Sequence, residues 1–170
     1  MKRGNAARNC PSFCTKIHAM TSKERYKILC EEQGPNIPLF LQYWWMEAVC
    51  SGKQWDVILV ERAGQVVAAM PYLIGKRWGM KYILQPQLTQ YNGVWYRKHD
   101  FKTENKRLDF EKWAINKVVK QLDKLGLAYY QQNFSPGFTN WLPLYWHGFK
   151  QTTRYTYRIN SLKNSDKVFA

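Results

Sequence analysis

The sequence is short of acid. Asp and Glu number 12 against 26 Lys and Arg over 170 residues, a formal net charge of +14. Carboxylates so few and scattered give no support to a paired-acid glycosidase. Histidine is scarce too: His18, His99 and His147 stand alone, with no H-x-x-x-H or H-E-x-x-H spacing. No G-x-S-x-G, P-loop or G-x-G-x-x-G occurs, so no nucleophile elbow or phosphate-cradling loop is legible. Four cysteines are too sparse for a disulfide scaffold. No apolar run approaches the roughly 18–20 residues a membrane span needs, so no span is expected. The basic N-terminus lacks the apolar stretch of a secretory signal. Charged residues are 22%, too few for a coiled coil.

What is present is apolar and aromatic. Hydrophobic residues make up 45% and aromatic ones 16%, enough to offset chain entropy by burial. The length suits one ordinary domain. The positive charge is spread along the chain and favours polyanions: nucleic acid, phosphorylated ligands or acidic lipid.

Residues 1–21 read as a basic extension, with the functional chain beginning near Met20. Cys10, Cys14 and His18 have four-residue spacing but lack a C-x-x-C knuckle and a fourth ligand, so no metal is expected. Cys30 and Cys50 fall in apolar helical patterns and read as core thiols of a reducing, cytoplasmic compartment. A helix is expected over Ser22–Gln33 with Ser22 as its cap, and a second over Leu39–Cys50. In the second, Phe40, Trp44, Ala48 and Leu41, Trp45, Val49 recur at four-residue spacing. The period then changes to that of a meander: Trp55–Glu61, Val66–Ile74 and Met80–Gln85, with turns at Arg62–Gln65 and Gly75–Gly79. Pro71 lacks a donor, which calls for an edge or a bulge.

A long polar and aromatic connection covers residues 86–105. Lys106–Leu125 is an amphipathic helix with Leu108, Ile115, Val118, Val119, Leu122 and Leu125 on one face, closed by Gly126. Its other face carries Trp113, Lys117, Lys120 and Lys124. Leu127–Gln132 reads as a strand, Thr139–Trp146 as a short helix, and Lys150–Asn160 as a strand with one wet face. At 163–170 a helix begins and the chain stops. A single turn cannot hold itself, so truncation, a missing C-terminal lobe and self-association are expected.

Two groups are candidates for ligand contact, and no catalytic residue is assigned. In the long connection, Gln90, Tyr91 and Asn92 supply neutral donors and acceptors, and Gly93 permits close backbone approach. On the last expected strand, Arg154 offers a planar fork for phosphate or carboxylate and Tyr157 a hydroxyl.

The order of elements resembles the GNAT-type acyltransferase fold: α/β, with a mixed, largely antiparallel sheet flanked by helices. The stretches Pro38–Cys50, Trp55–Ile74, the Q-P-x-L-T-Q-Y-x-G loop Gln85–Gly93 and Gly148–Leu162 are similar to the FemAB-like branch, which includes peptidoglycan-bridge aminoacyltransferases. The resemblance implies that residues 22–162 are the N-terminal lobe of a two-lobed acyl- or aminoacyltransferase. It implies a substrate groove shared by both lobes, and attack by an amine of a cell-wall precursor on an acyl donor. That donor would be aminoacyl-tRNA or acyl-CoA, with no cofactor held by this chain, and tRNA or a phosphorylated acceptor as partner. The chain departs from the pattern in lacking the Q/R-x-x-G-x-G/A loop that holds acetyl-CoA. Only Lys53 lies near the place where some relatives carry a phosphate-binding lysine. The alternative is a stand-alone basic module binding RNA or another polyanion.

Overall fold

A computed structural model describes residues 20–155. Its architecture is the expected mixed α/β: a five-stranded, mostly antiparallel sheet covered by helices. Helix α1 (Ser22–Gln33) begins at a capping box formed by Thr21, one residue before the expected cap. Thr21 Oγ1 accepts from the Glu24 amide at 3.2 Å, and Glu24 Oε2 accepts from the Thr21 amide at 2.7 Å. Both are donors that a helix start would otherwise leave unpaired.

The single helix expected over Leu39–Cys50 is two pieces. A 3-10 turn (Leu39–Leu41) is followed by α2 (Tyr43–Val49), and Gln42 between them is extended at ψ 142°. The cause is a side-chain amide. Gln42 Nε2 donates to the carbonyls of Gly34 at 2.8 Å and Ile37 at 2.7 Å, closing the turn before it. The break rotates the second piece, so Leu41, Met46 and Cys50 are buried while Trp44 is 56% exposed.

Strands β1 (Trp55–Arg62), β2 (Gln65–Arg77) and β3 (Met80–Leu84) form the meander. A register shift between Val60 and Glu61 leaves Val67 as the extra residue, so Val67 and Ala68 both enter the same core cluster. Pro71 sits neither on an edge strand nor at that bulge. It lies inside the sheet, in the short interval of β2 between the residues paired with β3 and those paired with β4 (Trp95–Tyr96). There a missing N–H breaks no ladder bond, and Gln132 Nε2 donates to its carbonyl at 3.1 Å.

Helix α3 (Glu104–Lys124) is capped by Thr103. Its buried face runs through Phe110, Ala114, Ile115, Val118, Val119 and Leu122, whereas Leu108 is exposed. Lys117, Lys120 and Lys124 are exposed, as the amphipathic pattern requires. Gly126 follows at φ 63° and releases the chain into β5 (Leu127–Tyr130), which pairs parallel with β3. Helix α4 (Leu142–Trp146) is shorter than expected. Residues 150–155 form no strand, and the remainder of that expected strand lies outside the described residues, as do 1–19 and 163–170.

The two faces of the sheet carry separate cores. One joins Tyr26, Leu29, Cys30, Met46 and Cys50 to Trp55, Val57 and Ala69. The other joins Ile58, Met70, Tyr72 and Ile83 to the apolar stripe of α3. Cys30 and Cys50 are buried free thiols, as expected, and burial pushes both up. Among the described residues no helix is long and apolar enough to cross a membrane.

Burial also pushes up the phenols of Tyr26, Tyr72, Tyr96 and Tyr130, Tyr72 to about 12. A phenol with a raised folded pKa keeps its proton in the folded chain after the unfolded chain, with an ordinary value of about 10, has released it. Stability is therefore intact below about pH 10 and declines as pH climbs from there toward the folded values. Melting temperature is expected to be level up to that point and to fall steeply above it, with ionisation of these four buried tyrosines appearing together with unfolding. Smooth ionisation of all tyrosines in a chain that stays folded would contradict this.

Candidate functional site

Along one edge of β2 the chain runs as an interrupted strand. It pairs through β3, leaves the sheet over residues 85–94, and returns to the same edge as β4, where Trp95 and Tyr96 pair with Ala69 and Ala68. The excursion is the loop singled out by its sequence. Gln85 ties its base: Nε2 donates to the Thr89 carbonyl at 3.1 Å, and Oε1 accepts from the Asn133 amide at 3.0 Å. Trp45 Nε1 donates to Thr89 Oγ1 at 3.0 Å, joining the loop to α2.

The candidate residues of this loop take different places. Gln90 is exposed. Tyr91 meets Phe40 edge to face at 5.0 Å. Asn92 is 1% exposed. Its amide donates to the Asn133 carbonyl at 2.6 Å and its Oδ1 accepts from the Gly93 amide at 3.0 Å, so its polar groups serve the loop itself. Gly93 has φ 95°, and a Cβ there would stand 2.6 Å from the Phe134 ring. Arg154 is exposed on irregular chain and does not line the cavity described next. Tyr157 lies outside the described residues.

Where the excursion returns to the sheet there is a cavity of about 190 Å³. Val94, Trp95 and Tyr96 form one wall, Glu111 of α3 another, and the 135–140 loop closes it with Ser135, Phe138, Thr139 and Asn140. Two of the lining residues carry a polar atom that is buried without a partner among the described residues: the Tyr96 hydroxyl and Glu111 Oε2. Such atoms are rare in folded proteins and ask for an explanation.

Both side chains are held firmly. The Tyr96 ring lies between Phe110, edge-on at 6.1 Å, and Phe138, stacked at 6.4 Å. Glu111 is 8% exposed and its Oε1 accepts from Arg107, which also pairs with Glu104. The second carboxylate oxygen, Oε2, is left without a partner among the described residues. Burial pushes the Tyr96 phenol far up, the Glu111 carboxylate adds to this, and Arg107 opposes it. Tyr96 is therefore a standing hydrogen-bond donor at neutral pH.

Neither residue was singled out by its sequence. Glu111 had a signal: with Ile115, Val118 and Leu122 it continues the apolar stripe of α3 at helical spacing, so a carboxylate stands at a core position. Tyr96 had none, because its burial depends on a two-residue strand paired across the excursion. Among the described residues no cluster of three or more His, Cys, Asp or Glu is placed to hold a metal ion.

No protein-family model and no curated protein matches the chain. Solved structures similar to it include the ribosomal-protein-alanine N-acetyltransferase from Brucella melitensis biovar Abortus 2308. That structure is 10% identical with a TM-score of 0.44, covering 82% of this chain and 94% of that one. The glucosamine-6-phosphate N-acetyltransferase from Arabidopsis thaliana is 14% identical with a TM-score of 0.40, covering 82% of this chain and 93% of that one. Both neighbours are N-acetyltransferases. At this distance the likeness carries no substrate or mechanism across, and the chemistry of the cavity stands on its own residues.

Proposed function

We propose that this chain is an acyltransferase domain that receives an amine acceptor beside Glu111 and Tyr96. The observation that carries the reading is the pair of unpartnered buried oxygens on one small cavity. A primary amine offers N–H donors to Glu111 Oε2. Its nitrogen lone pair attacks the acyl carbonyl carbon, the C–N bond forms, and the bond to the leaving oxygen or sulfur breaks. The amine must shed a proton, and Glu111 Oε2 is the base within reach of it. The leaving group must gain one, which protonated Glu111 returns, while the Tyr96 hydroxyl, kept protonated by its surroundings, donates a hydrogen bond to the tetrahedral oxyanion.

The finer reading is a FemAB-like lobe that uses an aminoacyl-tRNA ester in the cytoplasm, with a cell-wall precursor as one possible source of the amine. The order of the matching stretches and the basic surface support it. Gln90, Arg154 and Tyr157 remain proposed contacts to the phosphates of donor or acceptor. The second reading, a basic module for RNA, is favoured by the exposed row Lys117, Lys120 and Lys124.

The test is transfer from labelled aminoacyl-tRNA and labelled acetyl-CoA to a panel of primary amines, with calorimetry of the same amines and their carboxylate analogues. Amines are expected to bind and to become acylated, and carboxylates are expected not to bind. Salt-sensitive RNA binding with no amine binding and no acylation would instead support the module.

A further inference from the structure

The β2–β3 hairpin ends in a tip whose local chemistry works against its own stability. Lys76 and Lys81 are directly opposite each other in the register, and like charges so placed are destabilising. The two central turn residues, Trp78 and Gly79, have φ 49° and 80°. This is the conformation that Asn-Gly or Gly-Gly adopts readily, whereas a bulky side chain there is an outlier. The first hairpin makes a similar turn with Ala63 and Gly64, so the fold does not require an indole. Trp78 is nonetheless 81% exposed and Met80 beside it 51%.

On its β1 side the tip stands clear of the sheet, while on the other side β3 pairs with β5 from Lys81 onward. Strand β1 pairs with β2 no further than Leu73, so residues 75–79 have no β1 neighbour on that side. The Arg77 guanidinium lies over the Trp78 ring, 4.4 Å from its centroid. Lys81 Nζ donates to the Leu125 carbonyl at 3.2 Å. No ion pair among the described residues engages Lys76, Arg77 or Lys81. Between Arg62 and His99 the sequence contains no Asp or Glu, and Asp123 at the end of α3 is offset by Lys124. The result is a hairpin end that presents one exposed indole and one exposed thioether close in sequence to three exposed cations.

We propose that this hairpin tip docks on an anionic lipid surface, with Trp78 and Met80 entering the headgroup region and Lys76, Arg77 and Lys81 meeting lipid phosphates. Charge complementarity selects an anionic occupant, and shape selects the surface. Single-stranded nucleic acid is held in a basic groove that tracks its backbone, whereas a protruding two-residue turn enters a soft, flat surface. Indoles rest at the water–lipid boundary, and basic side chains near an anionic leaflet are attracted to it. An occupant that neutralises the opposed lysines and takes up the indole accounts for all three local penalties.

The experiment is flotation of the full 170-residue chain with vesicles of phosphatidylcholine alone and of phosphatidylcholine mixed with phosphatidylglycerol. Binding is expected only to the anionic vesicles, and is expected to weaken as salt is raised. Two variants separate docking from folding. Trp78→Asn places a favoured residue in the turn, and Lys76→Glu turns a like-charge pair into an opposite one. Both are expected to melt at or above the wild-type temperature. Lys76→Glu, a change of two charges, should weaken vesicle binding roughly twentyfold, at about fivefold per charge. Trp78→Asn should weaken it several-fold. Vesicle binding that both variants retain at wild-type strength would overturn the proposal. So would capture of a single-stranded RNA oligomer through these residues with no vesicle binding.

Discussion

Glu111→Gln is expected to lower the rate of amine acylation by about two to four orders of magnitude, the usual contribution of a positioned general base. The fold should survive the change. Gln keeps an oxygen where Arg107 donates to Oε1, and Arg107 keeps Glu104 as a second partner. The wild-type carboxylate has an oxygen buried without a partner among the described residues, a situation that lowers stability. Removing its charge should leave the melting temperature level or slightly higher. A separation of that kind, activity lost and stability kept, marks a group held for its chemistry. Kinetics and thermal melting on one preparation check it. Unchanged turnover would return Glu111 to a structural role, and so would a parallel fall in melting temperature.

Gly93→Ala is expected to have the opposite signature, a loss of stability of about 2–4 kcal/mol from left-handed strain and overpacking. The residue has φ 95°, and the added Cβ would meet Phe134 Cδ1 at 2.6 Å and Cε1 at 2.9 Å. Phe134 cannot withdraw freely, because its ring packs on Phe138 at 4.6 Å, and Phe138 stacks on Tyr96. The strain therefore reaches the cavity wall. In a chain of this size the change corresponds to roughly 5–15 °C in melting temperature. Adding Phe134→Ala removes the clash but not the backbone strain. The double variant should thus be more stable than the sum of the two single effects predicts. A Gly93→Ala chain that melts with the wild type would show that the excursion is looser than this geometry.

The meander was legible because its signals are local. Short, nearly continuous apolar runs are separated by turn residues, and each strand of the meander pairs with its neighbour in sequence. Helix α3 was legible for the same reason, with a helical stripe closed by a glycine, although its cap, Thr103, was chosen by the structure. The break at Gln42 was not. Apolar spacing runs straight through it, and what bends the chain is an amide reaching the carbonyls of Gly34 and Ile37. The strand expected over 150–160 failed in its described part for the converse reason. Alternating Thr, Arg and Tyr satisfies a pattern, but a strand also needs a partner, and residues 150–155 have none among the described residues.

The candidate site divides along the same line. The loop Gln90–Gly93 was visible as an unusually long connection between a strand and a helix, and it does shape the cavity, since Asn92 lines it and Gly93 packs under Phe134. Asn92 and Gly93 look inward, however, to Met46, Asn133 and Phe134. Alone, the sequence determined the α/β class, the hairpins, the long amphipathic helix, the buried thiols and the excess of positive charge. All of these follow from composition and short-range periodicity. Only the tertiary structure decided that β5 runs parallel to β3, that β4 rejoins the edge β3 left, and that Tyr96 and Glu111 share one cavity. Such facts depend on contacts between residues far apart in the chain, where each side chain's environment is set by the partner that packs against it.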